Sequence, residues 1–318
     1  MNNNTEIFDL IIIGAGPAGI TAGVYSARKK LKTLVLTKDF GGQSIVTNFI
    51  ENWTGEIKIS GMELAKKLKN HIKHYEADDF VIKEFTFVEK IEETGQAVNG
   101  KKVFSVTDNK GEIYLTKSIL NTSGAKRRKL LTKGADEFEH KGLTYCASCD
   151  GPFFTEKDVV VIGGGNSGFE SASQLMAYAK SVTILHRSKK FNAEPVMVNN
   201  ILSNPKITGI LNANIIEIFG SDFVEGIKYT DENNEEKTLN VEGVFIEIGA
   251  IPATDFISSE LIEKDEFKQI KIDHRTGRTS KNGIWAAGDC TDSLFKQNSI
   301  AMGDATKAIE DLYNYLQN

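Results

Sequence analysis

Cys146 and Cys149 form a C-x-x-C pair in the string TYCASCDGPFF, with Asp150 directly after the second thiol, and from position 159 the chain reads VVVIGGGNSG. Two thiols at this spacing can close into a disulfide and reopen, so they can hold two electrons and pass them on by exchange. An apolar run that opens into G-x-G-x-x-G is the pattern of a nucleotide-binding turn, and a nicotinamide bound there would deliver two electrons as hydride. Half of a zinc site is the competing chemistry. It needs two further thiolates where only Cys290 remains, and none of the five histidines has ligand spacing to the pair, so no metal is expected. Asp150 can manage the proton that accompanies thiolate formation, or simply be the turn residue before Gly151. Cys290, in the small-residue run AAGDC, reads as a packed apolar residue rather than a third redox centre.

The elements that must position these groups come in a duplicated unit. FDLIIIGAGPAG at 8–19 and DVVVIGGGNSG at 158–168 each enter a glycine loop from an apolar run. The first continues through ITAGVYSARKK to KTLVLT, the second through FESASQLMAYAK to SVTILHR, so each predicts strand, loop, helix and strand. Gly14 to Thr37 and Gly163 to His186 have equal spacing, and neither strand end carries an acid. Ser60-x-x-Glu63 predicts a capping box for a helix with Leu64, Leu68 and Ile72 on one face. Short strands are predicted over 80–120 and again over 213–250; turn-rich strands follow 250, then GIWAAGDC and a final helix at about 298–316.

The fold class is therefore α/β, with two Rossmann-like three-layer nucleotide-binding domains, the second inserted into the first. Residues 1–120 and 248–318 form the outer domain and 121–247 the inserted one. A chain of 318 residues suits two domains. Its net charge of -5 and pI near 5.7, with 38 basic residues dispersed apart from clusters such as AKRRK at 125–129, argue against a nucleic-acid surface. MNNNTEIFDL lacks the basic and apolar regions of a signal peptide, so a cytoplasmic protein without a membrane segment is expected. Three cysteines are too few for a disulfide framework, and a reducing compartment makes a close pair catalytic or metal-binding rather than structural.

Taken in order, GAGPAG at 14–19, FGGQ at 40–43, ENW at 51–53, CASCDG at 146–151, GGGNSG at 163–168 and AAGDC at 286–290 give the chain a nearly end-to-end resemblance. It resembles the low-molecular-weight thioredoxin reductases and the similar C-terminal module of the alkyl hydroperoxide reductase flavoprotein. The resemblance implies FAD on the first unit, its pyrophosphate at the helix that starts near Pro17 and Ala18. Gly14 and Gly16 would serve the tight turn and close approach, and Gly19 the helix packing. Gly41, Gly42, Gln43 and Asn52 match positions that line the flavin, and Gly288 with Asp289 the motif holding its ribityl and pyrophosphate portion. Lys296 and Gln297 stand where many relatives have Arg-Gln against the flavin, and Thr37 replaces the acid of a typical dinucleotide fold.

The second unit, by the same resemblance, takes the nicotinamide cofactor on Gly163, Gly165, Asn166 and Ser167, with His186 at the following strand end. In HRSKKFNA at 186–193, Arg187, Lys189 and Lys190 keep positive charge near a 2'-phosphate, so NADPH is favoured. Ser188 and Asn192 replace two expected arginines, which leaves NADH or another donor such as ferredoxin open. The implied cycle runs from NAD(P)H through FAD to the Cys146–Cys149 disulfide and on to the disulfide of a thioredoxin-like protein, with Cys149 facing the flavin, Cys146 as its partner and Asp150 as the family's acid. A dithiol on the inserted domain implies a rotation, with 118–124 and 244–250 as hinge candidates and GAIPATD at 249–255 supplying Gly and Pro. A homodimer is the family expectation. Three other readings use the same motifs. One is a flavoprotein feeding a peroxidase partner, suggested by CDGP at 149–152 and the KQ pair; that relative carries an N-terminal thioredoxin-fold extension, and this chain begins a few residues before its first strand, so the partner would be separate. The others are a dithiol oxidase reducing oxygen and a non-catalytic nucleotide-binding redox sensor.

Overall fold

The computed structural model describes residues 6–46, 50 and 52–318, apart from the side chains of Val46, Ser148 and Cys149; the N-terminal expectation and Glu51 of the ENW motif lie outside the described residues. The chain divides into two units, one built from 6–46, 52–126 and 251–318, the other from Ile50 and 127–250. It crosses between them through Ala125–Arg127 and Ala250–Pro252, short strands that pair with each other.

The first unit is organised by Leu10–Ala15, the centre of a five-stranded sheet flanked by Ile119–Asn121 and Thr33–Phe40, with Ile284–Ala286 and Phe80–Lys83 at the edges. All its neighbours run parallel, so both faces must be covered, and the pleat sends alternate side chains to each. Leu10, Ile12, Val35, Leu120 and Trp285 pack with Ile20, Ala305 and Ile309 of the helices Pro17–Arg28 and Asn298–Gln317. Ile11, Ile13, Leu34, Leu36, Ile119 and Ile284 pack instead with Val88, Ile91, Phe104 and Val106. Those last four belong to the hairpin Val88–Val98 and Lys101–Asp108, part of a second sheet with Ile113–Thr116 and Ile7–Phe8. Burying each large aliphatic contributes roughly 1.5–3 kcal/mol, which is why an uninterrupted LIII run makes the central strand.

The expected cap forms where Ser60 Oγ accepts the Glu63 N–H at 3.1 Å and opens the helix Gly61–Lys73, with Leu64 and Ile72 buried on its inner face. The C-terminal segment completes this unit's sheet through Ile284–Ala286. Between 253 and 283, however, the expected strands are replaced by turns and isolated bridges. The reason is local: Asp265 Oδ1 accepts the Phe267 and Gln269 N–H groups at 2.9 and 2.7 Å, and Asp273 Oδ1 accepts that of Arg275 at 2.8 Å, so the backbone is held in successive Asx turns.

The second unit repeats the plan. Its parallel sheet runs Leu143–Thr144, Gly243–Ile246, Asp158–Ile162, Ser181–Leu185 and Ile207–Ile210. Val159, Val161, Val182, Ile184 and Phe245 face the helix Asn166–Leu175, where Phe169, Ala172 and Leu175 are fully buried. Val160, Ile162, Val244 and Ile246 face the antiparallel strands Asn214–Gly220 and Val224–Thr230, which carry Ile218 and Ile227. No helix among the described residues is long and apolar enough to cross a membrane.

Candidate functional site

Both glycine loops are shaped by the strand beside them. Gly14 (φ +100°) and Gly163 (φ +133°) hold a backbone that favours glycine, and a Cβ there would lie 2.6 Å from the Thr122 carbonyl oxygen and 2.1 Å from that of Glu247. Thr122 and Glu247 are thus equivalent positions, each the residue just past a parallel strand neighbouring the loop strand. Gly16 and Gly165 then stand as N-caps of Pro17–Arg28 and Asn166–Leu175, neither helix having an acid in its first turn or a side-chain cap. Helix starts of this kind leave N–H groups directed at a ligand and suit an anion.

In the first unit two of the glycines singled out from sequence, Gly42 and Gly288, lie against the start of Pro17–Arg28. Gly42 comes so close that a Cβ on it would lie 3.3 Å from Gly16 Cα, and one on Gly288 would touch Ala18 and Ala301 at 3.4 and 3.3 Å. Gln43 Nε2 donates to Asp289 Oδ2 at 3.4 Å, and Asn52 Nδ2 to Gln297 Oε1 at 3.1 Å, so segments far apart in sequence are tied together. Gln297 is also the N-cap of Asn298–Gln317, and Gly41 precedes the short 3-10 turn Gly42–Val46. Lys296 donates to the Thr291 carbonyl at 2.6 Å; burial pushes its ammonium below the ordinary lysine range, against the pull of Asp289. Thr37 is buried, its hydroxyl donating to the Asp39 carbonyl. Asn121, at the end of the strand paired with Ile13, keeps a buried Nδ2 with no hydrogen-bond partner among the described residues. A narrow cradle, an uncapped helix start and a spare amide donor fit a dinucleotide such as FAD.

In the second unit Cys146 follows the strand Leu143–Thr144 in extended conformation and caps the short helix Ala147–Asp150. It is disulfide-bonded, and Cys290 is the buried free thiol, pushed up to about 11 by burial and donating to the carbonyls of Asn121 and Ala287. The Cys149 side chain lies outside the described residues. Asp150 accepts a hydrogen bond from Thr144 Oγ1, which ties the helix end back to its entering strand. The disulfide and the second glycine loop therefore emerge from one sheet, at the same strand ends, where ligands of parallel α/β sheets collect.

At the next strand end His186 is buried, its Nδ1 accepting the Gly164 N–H at 3.1 Å, and burial, then the Arg187 charge, push it below the ordinary histidine range. The ring stacks on Phe191 at 5.9 Å. Arg187, Lys189 and Lys190 are exposed, as are Asn166 and Ser167; Asn166 Oδ1 accepts the Glu194 N–H at 2.9 Å. Glu247 was not singled out from sequence, although an acid inside VFIEIG is the signal that could have found it. Ser171 Oγ donates to its Oε1 at 2.6 Å, and burial raises its carboxyl to about 7.

The family described as Pyridine nucleotide-disulphide oxidoreductase matches residues 8–306. Among curated proteins, the chain is similar to the "NADH dehydrogenase" of Bacillus subtilis (strain 168), 38% identical over 312 residues, covering 98% of this chain and 59% of that protein. It is similar also to an alkyl hydroperoxide reductase component of Staphylococcus aureus (strain NCTC 8325 / PS 47), 36% identical over 314 residues, 98% of this chain and 60% of that protein. The chain thus spans about six-tenths of the length of these curated relatives. The solved thioredoxin reductase from Giardia duodenalis superimposes with a TM-score of 0.84 at 32% identity, covering 98% of this chain and 100% of that one.

Proposed function

Because the chain belongs to the pyridine nucleotide-disulphide oxidoreductase family, whose members are oxidoreductases working with FAD and a nicotinamide nucleotide, we propose that it is a thioredoxin-disulfide reductase. Electrons from NADPH would pass by way of FAD to the Cys146–Cys149 pair and then to the disulfide of a thioredoxin-like protein. The observation that carries this reading is the Cys146 disulfide at the same end of the parallel sheet whose strand Asp158–Ile162 runs into the second glycine loop. FAD, when bound, would supply a hydride acceptor and two-electron transfer. Gly14, Gly16, Gly42, Gln43, Asn52, Gly288 and Asp289 would hold it, and Gly163, Gly165 and the helix start at Asn166 the nicotinamide nucleotide. Arg187, Lys189 and Lys190 favour the 2'-phosphate of NADPH.

At the dithiol, one thiolate attacks the partner's disulfide to form a mixed disulfide, and the second thiol releases the reduced partner as the intramolecular S–S bond closes. Asp150 would hold a proton during these steps. The working form is a homodimer. A second reading, NADH as the donor and a peroxidase system as the destination, is favoured by the names of the two curated relatives. Steady-state oxidation of NADPH, NADH and reduced ferredoxin by FAD-loaded protein, with and without thioredoxin, tests both. A thioredoxin-dependent rate that Cys149→Ser abolishes supports the proposal; hydride taken from neither nucleotide sinks it.

A further inference from the structure

We propose that Glu247 is a second proton-holding group for the disulfide, acting on the sulfur of Cys146. The inference rests on the reading of that disulfide as the redox centre. Leu143 pairs with Val244 and Thr144 with Phe245, both parallel. One step on, Tyr145 and Ile246 still share a face, since both pack in the cluster that also holds Leu143 and Val244. The ladder ends with Thr144 and Phe245, and the backbone bends at Tyr145; Cys146 and Glu247 each lie two residues beyond the last paired residues of the two adjacent parallel strands, and Glu247 turns to the face that carries Phe245 and the helix Asn166–Leu175. Adjacent strands lie roughly 5 Å apart, and on this placement we take the carboxyl to be within reach of the sulfur. Ser171 of that helix fixes the carboxyl by its hydrogen bond at 2.6 Å, and the Glu247 N–H is held by the Ile162 carbonyl at 2.8 Å.

Reduction breaks one S–S bond, takes up two electrons and leaves two sulfurs to be protonated. A neutral Glu247 carboxyl gives its proton to the Cys146 sulfur as the bond opens; the other sulfur remains a thiolate, and a proton from solvent restores the carboxyl. The reductant is the reduced flavin of the proposed cycle. Burial holds the Glu247 proton into the neutral range, with the Ser171 hydrogen bond and Arg127 opposing and Glu170 of the same helix assisting. Asp150, on the helix that Cys146 caps, is the other carboxylate of this region and accepts from Thr144 Oγ1.

The test needs neither flavin nor nucleotide. In full-length Cys149→Ser protein, where Cys146 is the reactive thiol and Cys290 is buried, alkylation of Cys146 by iodoacetamide is followed by peptide mass spectrometry against pH, with and without Glu247→Gln. Ionised Glu247 repels the thiolate and neutral Glu247 does not, so the two proteins should react within twofold of each other below pH 6. Near pH 8 the Glu247→Gln protein should react several-fold faster, up to about tenfold, the ratio closing again once both thiols are ionised. Asp150 is common to both and cancels in the ratio. A ratio that does not change with pH, the signature of a merely structural role, overturns the proposal. If Glu247→Gln fails to fold, Ser171→Ala decides: loss of its hydrogen bond should move the inflection to higher pH, and an unmoved profile overturns the proposal. Failure to reduce the disulfide with NAD(P)H would refute the reductase reading while leaving this ratio intact.

Discussion

Replacing Gly163 and Gly165 one at a time should separate architecture from binding inside a single glycine loop. Gly163 sits at φ +133°, outside the regions open to L-residues, and its Cβ would lie 2.1 Å from the Glu247 carbonyl oxygen. Alanine there must strain the backbone, about 1–3 kcal/mol, and push a core strand end by more than an ångström, roughly another 1–3 kcal/mol. The lower entropy of the unfolded chain returns about 0.4–1 kcal/mol. The net loss is about 3 kcal/mol, on the order of a 10 °C fall in the melting temperature of this unit. Gly165 has an ordinary φ of -92° and nothing within 4 Å of its would-be Cβ, so alanine there should leave the melting temperature within about 2 °C. A methyl group at the helix start should instead weaken NADPH binding at least tenfold, since the backbone can no longer approach the phosphates. Circular dichroism melts and fluorescence titration with NADPH read the two effects. If Gly163→Ala melts with the wild type, or Gly165→Ala melts far below it with unchanged affinity, the division of labour assigned to this loop is wrong.

Glu247 should also mark the pH dependence of stability. Its folded carboxyl is raised to about 7 from an ordinary 4.5, so the folded state binds more protons and stability falls as pH rises from 4.5 through 7. The loss approaches about 3 kcal/mol by pH 8, and urea unfolding at pH 5 and 8 should show it for the wild type relative to Glu247→Gln. Cys290, buried and pushed up to about 11, should react with iodoacetamide at pH 8 at least a hundredfold more slowly in the folded than in the urea-unfolded chain, by mass spectrometry. Asp311 accepts the Trp285 indole N–H at 2.9 Å and pairs with Arg278, so Asp311→Ala should cost about 2 kcal/mol by leaving a buried donor unmatched, read by thermal melts followed by tryptophan fluorescence.

Features that depend on nearest neighbours are legible in the chain itself. The LIII and VVV runs are buried on both faces of parallel sheets, where period gives way to continuous hydrophobicity, and the Ser60 cap follows from a side chain three residues before its N–H. Between 253 and 283 the expected strands give way to turns, because Asp265 and Asp273 close the backbone on itself. Glu247 is inconspicuous in one dimension, a charge inside an apolar run. Its setting comes from Ser171 on a helix and from the neighbouring strand that leads to Cys146.

By itself the sequence determined that this chain makes two copies of strand, glycine loop and helix, and that a dithiol precedes the second, because glycine torsions and apolar runs act within a few residues. Tertiary structure alone decided that Gln43 meets Asp289, that Asn52 meets Gln297, and that the strand leading to Cys146 lies beside the strand leading to Glu247. Those pairings depend on which strands lie side by side and in what register. Parallel neighbours are joined by long crossovers, so their register is set by the packing of both sheet faces and cannot be read from any local stretch.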